Sequence, residues 1–161
     1  MLDLQASTVA TVVLLAVTVS FPCFLYGAWI MLRAEQVTWD VLTHHLRYIA
    51  LGLTLTTVPV VGWMVPRLFR QLSGFAALHA FLGLQAYAML AFGLTGIVRV
   101  FRAKYEHDLY HDYDEALLLA EIGTDRLQFY RRRIRIGVFG YVFFWLLAYV
   151  VGVARYVTRY A

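Results

Sequence analysis

The feature that most constrains this chain is an uncharged run of twenty-five residues from Gly74 to Val98. As one α-helix, such a run is about 37 Å long, which exceeds the roughly 30 Å hydrocarbon core of a bilayer. His79 lies inside this run, and no other histidine of the chain lies so far inside an apolar stretch. An ionisable group within a membrane span is by default a candidate functional residue, because placing such a group in the hydrocarbon core costs free energy.

The composition extends this argument from one run to the whole chain. Hydrophobic residues make up 61% of the 161 residues, more than a soluble domain of that length could bury. The single cysteine, Cys23, excludes an intrachain disulfide and a cysteine metal cluster. The net charge is only +4, and the basic residues stand at the ends of apolar runs, a pattern typical of membrane surfaces. We therefore expect a protein of the cell membrane, with the lipid bilayer and no nucleic acid as its partner.

Four apolar runs predict an all-α, polytopic membrane protein, a four-transmembrane-helix bundle that forms a single domain over residues 1–161. Pro22 and Pro59 predict kinks in the first two spans. Residues 99–135 form the one sizeable connection, in which Gly123 predicts a helix stop and Asp125 a restart that continues into the last span. The expected spans are about 8–32, 48–65, 74–98 and 136–157.

The distribution of lysine and arginine predicts the orientation of these spans. Ten of the 14 basic residues fall in the first and third connections, and four fall on the other side. Because cytoplasmic loops carry the excess of positive charge, both termini are expected outside and residues 99–135 in the cytoplasm.

Two histidines are candidate cofactor ligands. His79 shares a helix face with Gly83 and Tyr87, and a glycine one turn from a histidine leaves room for a flat macrocycle. His45 begins a comparable stripe at the start of the second helix, with Gly52 on the same face. This end of the second helix is on the opposite side of the membrane from His79. We predict His45, His79, Gly83 and Tyr87 as cofactor-binding residues and haem b as the cofactor.

His45 and His79 lie at levels about 25 Å apart along the helices, so they cannot both ligate one iron. Met64 is a candidate partner on the level of His79, because His and Met together are a known haem ligation. In the alternative interpretation, both histidines only donate or accept hydrogen bonds between helices.

A second histidine pattern stands in the long connection. His107 and His111 are four residues apart, with Asp108, Asp112 and Glu115 nearby, so on a helix they would share a face and could hold a divalent metal ion. The alternative is a solvated polar helix. The pattern lacks the glutamate of a metalloprotease HExxH motif, so it does not indicate a protease.

The last span carries an aromatic stripe that favours helix packing or the edge of a quinone or haem pocket. It consists of Tyr141, Trp145, Tyr149, Gly152 and Tyr156. The sequence shows no glycine-rich phosphate loop and no nucleophile arrangement, which argues against an enzyme of the soluble type.

Three segments carry a resemblance to a known family: HHLRYIALGLTLTTVPVV, ALHAFLGLQAYAMLAFGLTGIVRVFRAKYEHDLYHD and RRRIRIGVFGYVFFWLLAYVVGVARYV. Over nearly its whole length the chain resembles an uncharacterised four-helix membrane family of halophilic archaea. More distantly, its layout is similar to membrane proteins linked to cytochrome c oxidase assembly. The matching positions are His45, His79 and His107 or His111, followed by Arg133 to Tyr141. The resemblance implies a haem-linked role in a respiratory membrane.

Three classes of function remain open at this point. The first is a haem- or quinone-contacting electron-transfer or oxidase-assembly component. The second is a non-catalytic structural subunit or scaffold of a larger membrane complex, whose partners are other membrane subunits or further copies of this chain. The third, a small transporter, ranks last because the two halves show no internal repeat.

Overall fold

The computed structural model describes residues 2–35, 38–68, 74–106 and 125–160, and its elements are helices. Four helical stretches are long and apolar enough to cross a membrane: Gln5–Arg33, Trp39–Arg67, Phe75–Arg99 and Arg132–Tyr160. The helices are α1 (Leu2–Arg33), α2 (Trp39–Pro59), a π-helical turn (Val60–Met64), α3 (Val65–Leu68), α4 (Phe75–Glu106) and α5 (Asp125–Tyr160). An all-helical chain with four such helices is what the sequence predicts, and this part of the prediction is confirmed.

Helix α2 begins nine residues before the predicted span. Thr38 caps it, because the Thr38 hydroxyl accepts a hydrogen bond from the Val41 backbone N–H at 3.3 Å. The apolar pattern places the span start at Tyr48, since Asp40 and Arg47 interrupt the run. Both of these side chains are exposed, so the helix accommodates them without burying charge. A capping threonine, rather than hydrophobicity, therefore fixes the start of α2.

The two prolines of the second span flank a change in helix type. Between them, Val60–Met64 is π-helical, and the Val65 N–H donates to the Val60 carbonyl five residues earlier. Pro66 has no N–H to close an α-helical turn, which favours a local widening at this place. The hydroxyl of Thr56 donates to the carbonyls of Gly52 and Leu53. In the first span, by contrast, α1 continues as an α-helix through Pro22.

The contacts of the chain group into two compact units, the first formed by Met1–Ser73 with Val153–Ala161. In this unit α1 and α2 run antiparallel. Their buried polar residues are Ser20, which is 0% exposed, and Thr56, which is 2% exposed. Both hydroxyls donate to carbonyls of their own helices, so the helix interface carries no unsatisfied hydroxyl at these positions. The last turns of α5 join this unit through a 2.7 Å hydrogen bond between the Thr11 and Tyr156 hydroxyls.

The second unit, Gly74–Gly152, consists of α4 and the first part of α5. These helices pack closely at Gly137, where an added Cβ would lie 2.5 Å from the Gly93 Cα and 2.9 Å from the Met89 carbonyl oxygen. The two helices thus meet at small residues, as tightly packed membrane helices do. Large side chains such as Leu84 and Phe139 are 69% and 75% exposed on the outside. An apolar exterior around a small-residue interior suits a lipid environment.

Candidate functional site

His45 makes the clearest histidine contact in the first unit. Its Nδ1 lies 2.8 Å from the backbone carbonyl oxygen of Gly27, on α1. A carbonyl oxygen can only accept, so Nδ1 is the donor, and in the neutral ring Nε2 carries the lone pair. Metal-ligating histidines typically have this arrangement, with the second nitrogen bonded to a carbonyl or carboxylate that fixes the ring.

Gly27 lies close to the side chains of α2 at this contact. A Cβ at position 27 would lie 3.0 Å from the Ile49 Cδ1 and 3.5 Å from the His45 Nδ1. The second distance is an ordinary contact, whereas the first would make the end of the Ile49 side chain move by a few tenths of an ångström. The glycine therefore leaves room for Ile49, one helical turn from His45 on α2.

An aromatic group surrounds the same end of the helix pair. The rings of Tyr26 and Tyr48 meet edge to face with centroids 4.5 Å apart, and His44 meets Tyr48 in the same manner at 5.5 Å. Tyr26 is 47% exposed, and His44 is also exposed. Edge-to-face rings that remain accessible are typical of a membrane–water boundary, where their polar ends stay hydrated.

His79 belongs to the second unit and contacts a glycine as well. Its ring atoms Cε1 and Nε2 lie 3.1 and 3.2 Å from the place where a Cβ of Gly152 would be, and Nδ1 lies at 3.9 Å. The half-buried imidazole of α4 therefore rests against the backbone of α5. The aromatic stripe includes Gly152, but periodicity only shows which residues share a face and does not identify the residue across the interface.

Gly83 and Tyr87, one and two turns from His79, have different surroundings. A Cβ at Gly83 would meet nothing within 4 Å, so the space expected beside this face is present. Tyr87 is half-buried and makes an interaction of its own. The structure therefore brings His79 against α5 and leaves Gly83 open.

The predicted metal residues, His107 and His111, lie outside the described residues, so a metal site there stays a prediction. Within the part of the chain that the structure describes, no three His, Cys, Asp or Glu side chains come close enough to hold a metal ion.

Taken with the helix arrangement, these contacts define a class: an all-helical protein with four potential membrane spans, in which two histidines each meet a glycine of another helix. The chain belongs to the family described as a domain of unknown function, DUF7321, whose model matches residues 6–161. No curated protein matches the chain, and neither does any solved structure. Membership of an uncharacterised family is thereby confirmed, whereas the archaeal and oxidase-assembly similarities stay predictions.

Proposed function

We propose that this protein is a multi-pass cell-membrane protein with both termini outside, whose histidines contact a haem b or a quinone in a respiratory membrane. In this proposal it is an electron-transfer or oxidase-assembly component. Four helices of sufficient length and apolarity support the membrane location, and the ten-to-four distribution of basic residues supports the orientation. The respiratory assignment depends on the resemblance in layout.

The observation that carries the haem proposal is the hydrogen bond from the His45 Nδ1 to the Gly27 carbonyl. An axial ligand needs a lone pair on the coordinating nitrogen and a fixed ring plane. Donation from Nδ1 fixes the ring plane and, in the neutral ring, leaves the lone pair on Nε2. His45 would hold the iron through Nε2. When bound, haem would supply one-electron transfer, while the Gly27 carbonyl would orient the ring of His45.

His79 is a weaker ligand candidate than His45. Its Nε2 lies 3.2 Å from the place where a Cβ of Gly152 would be, so α5 stands beside that nitrogen. His45 is therefore the first ligand to test, although the sequence gives the two histidines similar weight.

A scaffold is the second candidate function, and the same contacts favour it. His45 and His79 each join two helices at a glycine, which is sufficient reason for a histidine to occur at a helix interface. In this case the protein would serve as a structural subunit among other membrane proteins.

Absorbance spectra of histidine variants, purified from haem-replete cells, distinguish the two candidates. If His45 is the ligand, the wild type has a Soret band that His45→Ala and His45→Gln both lose. Glutamine keeps a donor for the Gly27 carbonyl, so His45→Gln should retain the stability of the wild type. His44→Ala, at the adjacent exposed position, is the matched control and should keep the band.

Comparing His79→Ala with His45→Ala shows which histidine is the ligand. If one histidine holds the iron, only the variant of that histidine should lose the Soret band. A Soret band that persists in both variants would contradict histidine ligation by either residue. If the wild type is colourless and His45→Ala unfolds at a lower temperature than the wild type, the scaffold function is favoured.

A further inference from the structure

Two arginines cross the interface of the second unit in opposite directions. The guanidinium carbon of Arg99, on α4, lies 5.6 Å from the ring centroid of Tyr130 on α5. That of Arg133, on α5, lies 4.3 Å from the ring centroid of Phe92 on α4. Each helix therefore supplies one cation and one aromatic ring, and the two contacts hold both guanidinium groups at the same end of the helix pair.

The Arg99 side chain is exposed, whereas the Nε of Arg133 is buried and has no hydrogen-bond acceptor from the described part of the chain. A ring beneath a guanidinium covers one face of the plane and leaves the N–H groups at its edge to donate. Buried donors, above all charged ones, are expected to have an acceptor. The pair thus offers positive charge, and the N–H groups of the exposed Arg99, to an anion at this end of the helices.

The helix register places the two arginines close in height. Gly93 faces Gly137, and Met89 faces Gly140, so α4 and α5 are antiparallel. With the Gly93–Gly137 register, Arg99 and Arg133 attach at levels two residues apart, about 3 Å along the helix axes. They also stand at the ends of the stretches Phe75–Arg99 and Arg132–Tyr160, which can cross a membrane. At such an end, the abundant anionic acceptor is the phosphate of a lipid headgroup.

We propose that Arg99 and Arg133 together bind the phosphate of an anionic phospholipid at this end of the α4–α5 pair. The site rests on the proposed membrane location and is independent of haem. Anionic lipids are favoured over zwitterionic ones. A zwitterionic headgroup carries a cationic amine beside its phosphate, and the two arginines would repel that amine. Tyr130 and Phe92 hold the guanidinium groups in place, which reduces the loss of side-chain freedom on binding.

The test is native mass spectrometry of the full-length protein in detergent, titrated with dioleoyl phosphatidylglycerol or dioleoyl phosphatidylcholine. Arg99→Gln and Arg133→Gln should each lower the affinity for phosphatidylglycerol about fivefold, given the usual strength of one arginine near an anionic headgroup. Arg159→Gln is the matched control, since Arg159 also lies over a ring, that of Tyr160 at 5.9 Å, at the other end of α5. It should bind as the wild type does. Arg99→Gln, at an exposed position, carries the test if Arg133→Gln does not fold.

Equal affinity for the two lipids, or unchanged binding in Arg99→Gln and Arg133→Gln, would overturn the proposal. Displacement of phosphatidylglycerol by millimolar inorganic phosphate would also overturn it, because the site would then take free phosphate. Membrane location is tested separately, by resistance of the protein to extraction from membranes with alkaline carbonate. A protein that stays in the membrane but shows no lipid selectivity contradicts this site alone.

Discussion

At the scale of single residues, the glycines of this protein have sharply different surroundings. Around Gly137 the neighbouring atoms are backbone atoms of α4, which cannot rotate away, and a Cβ would lie 2.5 Å from one of them. Around Gly83, on α4 itself, a Cβ would meet nothing within 4 Å. The same residue type therefore has a packing role at one position and leaves open space at the other.

This difference predicts opposite results for two alanine substitutions. Gly137→Ala should force α4 and α5 apart and lower the free energy of unfolding by about 1–3 kcal/mol, the usual cost of overpacking. Gly83→Ala should be neutral or slightly stabilising, because alanine favours a helix over glycine by up to about 1 kcal/mol. Thermal unfolding of both variants in the same detergent measures the difference. Equal stabilities would show that the close approach at Gly137 is absent from the protein.

Gly83→Ala also bears on the cofactor prediction. If a macrocycle lies against Gly83, the new methyl group should shift the absorbance spectrum while the unfolding temperature stays the same. An unchanged spectrum in a haem-containing protein would remove Gly83 from the predicted site.

Residue types and spacing were enough to select His45 and His79 but not to find their contacts. The bond from His45 to Gly27 joins residues 18 apart on different helices, and no local pattern encodes it. Gly27 does not stand out in the sequence, because a glycine in an apolar run can face lipid or another helix. Such pairings depend on helix rotation, which one sequence does not determine.

At the scale of helices, the sequence predicts what depends on local chemistry. The continuous helix through the arginines into the last span is present, since α5 runs from Asp125 to Tyr160. The helix stop predicted at Gly123, with the restart after it, lies outside the described residues and stays a prediction. Helix α2 extends beyond the predicted span because Thr38 caps a helix whose first turns are polar. The π-helical turn between Pro59 and Pro66 depends on which backbone hydrogen bonds form over several residues. A hydropathy pattern carries no information about that choice.

The register of α4 and α5 can be tested by a disulfide. A Cβ at Gly140 would lie 2.9 Å from the Met89 Cγ, the place that a cysteine sulfur at position 89 would take. In a Cys23→Ser background, Met89→Cys with Gly140→Cys should therefore cross-link on mild oxidation. Mass spectrometry of the intact chain would show the loss of two hydrogens.

Met89→Cys with Gly152→Cys is the matched control for this register. Gly152 faces His79, ten residues or about 15 Å along the helix from Met89, so this pair should remain reduced. Cross-linking of the control pair, or of neither pair, would contradict the antiparallel arrangement.

At the scale of the whole molecule, the ten-to-four asymmetry of basic residues makes a prediction about sides. A periplasmic-type reporter fused after Ala161 should be active, and a cytoplasmic reporter at that position should be silent. The same pair of reporters inserted within residues 99–135 should give the reverse result. Activity of the cytoplasmic reporter after Ala161 would invert the proposed orientation.

The measurement that tests the central proposal most directly is a pyridine haemochrome assay on the purified wild-type protein from haem-replete cells. With His45 as the supported axial ligand, we expect about one haem b per chain. The same preparation of His45→Ala, matched for expression and purity, should contain little haem. A wild-type protein without haem would contradict the haem proposal and leave the scaffold as the better account of its histidines.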